Sequence, residues 1–251
     1  MGQIESLPRR HCMVVHAHYP LGETRVEREA QALLAQGIKV DVICQRRSDE
    51  AAHYATVDGV EVYRLPVKRY RVGIGRLYEY LSFFVLAFIR LTSLHLRRRY
   101  DVVQVHNLPD FLVFVSLIPK LTGARVILDL HDLMPEFYAE LFQKSLDSLS
   151  MRLIRWQERL ACRFADHIIT VTELWRQALI ERGQPADKIT VVMNVADNRI
   201  FYREVATDAF DDDGCFRLIY HGTIAHRHGL DLLLNALNVV RQTAPDVHLI
   251  L

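Results

Sequence analysis

The sequence predicts an α/β fold, an open twisted sheet of parallel strands covered by helices on both faces. Three observations predict it. Short apolar runs rich in Val and Ile recur along the 251 residues, and most are separated by stretches of helical periodicity. Half the residues are hydrophobic and 24% are charged, enough to bury a sizeable core. Strand, helix and strand at this spacing require right-handed crossovers between parallel strands.

The strand candidates are HCMVVHAH (11–18), KVDVICQ (39–45), VEVYRL (60–65), DVVQVHN (101–107), RVILDLH (125–131), HIITVT (167–172) and ITVVMN (189–194). In TRVEREAQALLAQG the residues Val26, Ala30, Leu33 and Leu34 share one helical face, with Thr24 and Glu27 as a capping box and Gly37 as the stop. Segment 68–99 has an apolar middle, Leu81 to Ile89, between basic flanks. A transmembrane helix needs about 20 apolar residues, and Arg90 and His95 interrupt this run, so it reads as a helix packed on the sheet. A second face of the same helix is suited to an anionic membrane surface. LPDFLVFVSLIPKLTG joins the strands at 101 and 125, with Pro119 marking a kink or an early end. Residues 137–165 form one or two helices and ELWRQALIERG another.

REVATDAFDDDG is polar and aperiodic and reads as a linker. After it come a strand (216–222), a helix (229–242) and a strand (247–251), one βαβ unit too small to build its own core. The expected organisation is therefore a domain over 1–202, a linker over 203–214, and the start of a truncated second domain over 215–251.

With a formal net charge of +1, no global field draws in nucleic acid. Cys12, Cys44, Cys162 and Cys215 lie far apart with no C-x-x-C pair, which suggests neither a disulfide framework nor a zinc site. The first 20 residues hold no apolar segment of signal-peptide length, and the expected compartment is the cytosol.

In open α/β sheets, ligands bind outside the carboxyl ends of the strands. Those ends carry His16 and His18, Cys44 and Gln45, His106 and Asn107, His131 and Asp132, Thr172 and Glu173, and Asn194. Three strands finish on histidine, and their coincidence on one edge marks a site. His16 and His18 share a strand face, but no third ligand completes a metal site. In HYPLGETRVE, Gly22 opens a helix whose N-terminus suits a phosphate, although G-x-G-x-x-G is absent and Glu23 would repel an anion. Arg25 is either an anion contact or a solvated arginine. HGTIAHRHGLD places Gly222, Thr223, Arg227, His228 and Gly229 in a loop able to hold a pyrophosphate.

As a set, HYPLGETRVEREAQALLAQGIKVDVIC, YDVVQVHNLPDF, ARVILDLHDLMPE, ADHIITVTE, ITVVMNVADNRIFY and YHGTIAHRHGLDLLLNAL resemble the GT-B glycosyltransferases of family 4, particularly bacterial members that build surface polysaccharides. The resemblance covers nearly the whole chain, with Val195 where the family's domain junction carries glycine. It implies two Rossmann-like domains and a retaining transfer from a nucleotide-sugar to a glycan or lipid-linked acceptor, without a metal or other cofactor. It implies that Gly22 lies under the donor phosphates and that the catalytic His131 faces the transferred sugar. His18, His106, Asn107, Asp132 and Glu136 would line the acceptor-side cleft, the two carboxylates orienting the loop. Thr223 and His228 stand where the family has an arginine and a lysine, so Arg227 becomes the substitute contact to the donor diphosphate. The family's glutamate motif would lie beyond Leu251, so the chain alone is expected to be inactive. The competing expectations are a non-catalytic, acceptor-binding remnant and a nucleotide-dependent oxidoreductase or epimerase. The implied location is the cytoplasm, peripherally at the inner face of the membrane through 68–99.

Overall fold

The computed structural model describes residues 10–21, 23–47, 52–70, 74–145, 147–196, 214–224 and 228–251. The chain divides into two compact units, Met1–Asn194 and Val195–Leu251.

The first unit runs β1 (Arg10–Val15), α1 (Thr24–Ala35), β2 (Lys39–Gln45), β3 (Tyr54–Val57), β4 (Val60–Leu65), α2 (Ile74–Arg98) and β5 (Val102–His106). A 3-10 segment (Asp110–Ser116) leads into α3 (Leu117–Leu121) and β6 (Arg125–Leu130). Then come α4 (Met134–Leu141), α5 (Leu149–Phe164), β7 (His167–Thr170), α6 (Glu173–Glu181) and β8 (Ile189–Val191). The eight strands lie in the order β3-β4-β2-β1-β5-β6-β7-β8, parallel except for β3.

β1 shows why the sheet is covered on both faces. Cys12 and Val14 enter one core with Ile43, Phe83, Val103 and Leu128. Met13 and Val15 enter the other with Val26, Ala30, Val42 and Val62. Each such side chain contributes about 1.5–3 kcal/mol on leaving water, so a strand apolar at every position belongs in the middle of the sheet.

Local chemistry sets the ends of α1. Gly37, at φ +77°, takes the left-handed conformation, and the N–H groups of Gly37 and Ile38 return to the carbonyls of Leu34 and Leu33 at 2.9 and 3.1 Å. The expected Thr24–Glu27 capping box does not form: Thr24 is already inside the helix, the cap is Glu23, and no side chain caps it. Pro119 stands in the first turn of α3, where its missing N–H is tolerated, and the helix ends two residues later. β3, absent from the expected strands, forms a hairpin with β4 across Asp58 and Gly59 at φ +47° and +84°, the two-residue turn that right-twisted strands favour.

The 25-residue α2 corrects the expected length: by length and composition it could cross a membrane. One face is packed instead, with Phe83, Ala87, Leu91 and Leu94 buried in the core. The other exposes Leu77, Leu81, Val85 and Ile89 at helical spacing.

The second unit pairs β9 (Phe216–Ile219) in parallel with β10 (Val247–Ile250) through the crossover helix α7 (Leu230–Val240). Of the expected linker, all but Gly214 lies outside the described residues.

Candidate functional site

The strand order reverses at β1, which has β2 on one side and β5 on the other. A crevice therefore opens at the carboxyl ends of β1 and β5, where ligands bind in sheets of this kind. β5 ends on His106, β6 ends one residue before His131, and β1 ends at Val15. His16 and His18 lie in the following turn rather than on a shared strand face.

Beneath the crevice is a buried charge network. Arg25, from the first turn of α1, donates through Nε and Nη2 to both oxygens of Asp129 at 3.1 Å each. Its Nη1 donates to the Val192 carbonyl at 2.9 Å and to Asn194 Oδ1 at 3.0 Å. Arg25 is 6% exposed and Asp129 fully buried, so this is neither the anion contact nor the solvated arginine expected from sequence. A two-pronged guanidinium–carboxylate pair is a geometry that Arg supplies and Lys does not.

Asp129 also organises the two histidines. Its Oδ2 stands 3.2 Å from His106 Nδ1 and 3.5 Å from His131 Nε2, and the two rings meet at 3.1 Å. On its far side His131 Nδ1 is 3.5 Å from Glu23 Oε1. Burial alone would lower the His131 pKa, but the carboxylates of Asp129 and Glu23 outweigh it and raise it to about 9. Asp129 is pushed up by burial and brought well below the usual carboxylate range by His106 and His131. That shift favours the imidazolium at neutral pH, a form that donates hydrogen bonds and carries positive charge.

Asn107 fixes the loop that carries His131. Its Oδ1 accepts from the backbone N–H of His131 at 2.8 Å, and its Nδ2 donates to the Asp132 carbonyl at 2.6 Å and to Asp110 Oδ1 at 2.8 Å. Glu23 and Asn107 border a cavity of about 750 Å³ whose walls include Tyr80, Phe137, Tyr138 and Phe142. Arg76 borders it too, with Nε donating to Tyr80 Oη at 3.1 Å.

The expected site residues are thus partly gathered. His131, His106 and Asn107 meet directly, and Asp132 joins through its backbone. His18 stands further along the same edge, its Nδ1 3.1 Å from the Gln45 carbonyl. Glu136 is a correction: one helical turn carries it to Arg182, which also binds Glu158, so it does not line the cleft. Thr223 lies in the second unit, its carbonyl accepting from Tyr220 Oη at 2.9 Å. Gly22 and Arg227 lie outside the described residues. Sequence reasoning missed Asp129, although a carboxylate inside the run RVILDL was its signal.

Among the described residues, His106, Asp129 and His131 have ligand atoms within 4.8 Å of one another, a spacing a metal could use. Both Asp129 oxygens already accept from Arg25, so an entering cation would compete with a guanidinium for them.

A family model described as a glycosyl transferase 4-like domain matches residues 22–194. No curated protein matches the chain in sequence. Among solved structures, a sucrose-phosphate synthase from Thermosynechococcus elongatus is similar at 17% identity and TM-score 0.67, over 96% of this chain and 61% of that one. The catalytic domain of starch synthase IV from Arabidopsis thaliana, bound to ADP and acarbose, is similar at 14% identity and TM-score 0.66, over 96% and 67%. A UDP-GlcNAc 2-epimerase from Methanocaldococcus jannaschii is similar at 14% identity and TM-score 0.51, over 96% and 65%. This chain therefore spans about 61% of the length of that synthase. Such identities show the GT-B fold alone, a fold that transferases and an epimerase share; the family model distinguishes them. By that match over most of its length, the chain belongs to the glycosyl transferase 4-like family.

Proposed function

We propose that the protein acts in a retaining transfer of a sugar from a nucleotide-sugar to an envelope glycan or lipid-linked acceptor, at the cytoplasmic face of a membrane and without a metal. The observation that carries this reading is His131, held as an imidazolium by Asp129 and Glu23 beside an aromatic cavity at the strand ends. In such a transfer an acceptor oxygen bonds to the anomeric carbon, the carbon–phosphate oxygen bond breaks, and the acceptor proton leaves with the diphosphate. Charge then builds on the leaving group and the sugar ring, and a preorganised donor stabilises it. His131 fits that role. Asp129 and Glu23 keep it charged and Asn107 keeps its loop in place.

The described part of the second unit holds one βαβ unit, too little to cradle a nucleotide, so the 251 residues alone are proposed to bind without turnover. The exposed stripe Leu77, Leu81, Val85 and Ile89 is proposed to rest on lipid, with Arg97 near an anionic headgroup layer. Disrupting the gene in its own organism and weighing the surface glycan tests the reading. A glycan short of a sugar, restored by the wild type but not by His131→Ala, supports it; an unchanged glycan overturns it.

A further inference from the structure

The aromatic cavity is one of three that run together along the carboxyl edge of the first unit. Through His16, Ala17 and Arg76 it joins a neck of about 120 Å³, which Arg69 and Glu79 also line. Through His18, Gln45 and Arg69 the neck joins a third chamber of about 570 Å³, whose wall includes Arg46, Arg47, Lys68 and Arg69. Among the described residues no carboxylate lines that chamber. Glu79, at the neck, is turned to its own neighbours: it accepts the Tyr70 N–H at 2.7 Å and stands 3.3 Å from His16 Nε2.

A chain with a net charge of only +1 has thus gathered four cations on one concave wall. The lining of that chamber is cationic, which favours an anion there. Low-dielectric walls focus that field into the chamber, and a guanidinium fork matches phosphate oxygens. The opposite end of the groove has the contrary chemistry: Tyr80, Phe137, Tyr138 and Phe142 offer flat apolar faces, with Glu23 and Asn107 to accept or donate at a hydroxyl.

We infer that the acceptor is a phosphorylated sugar, its ring in the aromatic chamber beside Glu23 and its phosphate or diphosphate in the basic chamber against Lys68 and Arg69. This rests on the transferase reading and deepens it by giving the acceptor a charge. The ring then lies next to the loop that carries His131, and the anion lies away from it, where it does not compete with a donor diphosphate.

Equilibrium binding to this chain, with no donor and no turnover, tests the assignment independently of transfer. The probes are glucose, glucose 1-phosphate and inorganic pyrophosphate. Glucose 1-phosphate is expected to bind at least about tenfold more tightly than glucose, the step worth about 1.4 kcal/mol. The double variant Lys68→Ala/Arg69→Ala, at exposed positions that leave the core intact, is expected to abolish that difference and pyrophosphate binding. Tyr80→Ala is expected to weaken both sugars and spare pyrophosphate. A further arm uses phosphatidylcholine vesicles with and without a polyprenyl-diphosphate sugar: selective binding to the loaded vesicles assigns the phosphate to a lipid-linked acceptor, and equal binding assigns it to a soluble one. The inference is overturned if neither phosphorylated probe binds better than glucose, or if the double variant binds them as the wild type does. It is also overturned if that variant loses only attachment to plain phosphatidylglycerol vesicles, which would give these cations to the membrane. An unchanged surface glycan with intact glucose 1-phosphate binding would sink the transfer reading alone.

Discussion

At each edge of the large sheet a buried aspartate holds an arginine, and the two pairs serve different ends. At the amino edge Asp41 accepts from Arg98 Nη1 at 2.8 Å and from Tyr100 Oη at 2.5 Å, with Arg10 at 3.5 Å, and Arg98 also binds Glu61. Every charge there has a partner, and the network ties α2 to β1, β2 and β4. At the carboxyl edge Asp129 holds Arg25 and also steadies two histidines, one of which, His131, stands beside a cavity bordered by its own partner Glu23. The first network is a staple. In the second, the same pairing chemistry supports a titratable group, because strand carboxyl ends open onto the crevice and amino ends do not.

Substituting the two aspartates separates these roles and carries the largest expected effects. Asp129→Asn leaves Arg25 buried without its main counter-charge, a loss of about 3–5 kcal/mol in urea unfolding. Asp41→Asn leaves Arg98 with Glu61 and with solvent, and about 1–3 kcal/mol is expected. The diagnostic readout is the ring of His131 followed by NMR. Asp129→Asn should bring its pKa down from about 9 toward the ordinary 6.5, and Asp41→Asn should leave it in place. Equal shifts in the two variants would show that the edges do not differ as described.

A second prediction sharpens the catalytic side. In the active protein His131→Ala is expected to lower turnover by about 10²–10³, the effect of removing one preorganised donor, and to lower the unfolding midpoint as well, because the pairs with Asp129 and Glu23 are lost. The pH dependence has a fixed sign. The folded pKa lies above the unfolded 6.5, so the stabilisation by charged His131 is complete below about 6.5 and is lost as pH rises through about 9. Turnover should fall over the same upper limb. A rate that instead rises with pH toward 9 would make His131 a base and overturn its role as a donor.

Much of this arrangement was legible in the sequence, for reasons that also explain what was not. Apolar runs such as KVDVICQ and VEVYRL became strands at the expected residues because both faces of a central parallel strand are buried. The site edge was legible because His106 and His131 stop two adjacent strands. β3 escaped because a short edge strand with exposed residues carries little apolar signal, although Asp58-Gly59 is a hairpin turn. The aromatic cavity escaped because Tyr80 comes from α2 and Phe137 and Tyr138 from α4, and only the crossovers bring them together. Asp129 was hidden by its apolar neighbours: a charge inside a core strand has meaning only once Arg25, more than a hundred residues away, is seen to meet it.

α2 allows a test of smaller effect. Leu81 and Val85 are 50% and 52% exposed on its outer face, whereas Phe83 and Ala87 lie in the core. Leu81→Glu with Val85→Glu should therefore change stability by no more than about 0.5 kcal/mol per site while reducing co-sedimentation with phosphatidylglycerol vesicles. Unchanged co-sedimentation would remove lipid as the partner of that face.

The smallest expected effect decides where the site ends. Glu136 is only five residues from His131, and its place in sequence suggests a cleft carboxylate. Its ion pair with Arg182 is instead shared with Glu158, which is nearly buried and binds the same guanidinium at 2.8 and 3.0 Å. Because Glu136 is 42% exposed and Arg182 keeps Glu158, Glu136→Gln should cost no more than about 1 kcal/mol in unfolding. Turnover and the His131 titration should both be unmoved. A shift in either would mean that charge on α4 reaches the crevice, and the carboxyl-edge network would then extend beyond Asp129 and Glu23 to the helix that follows it.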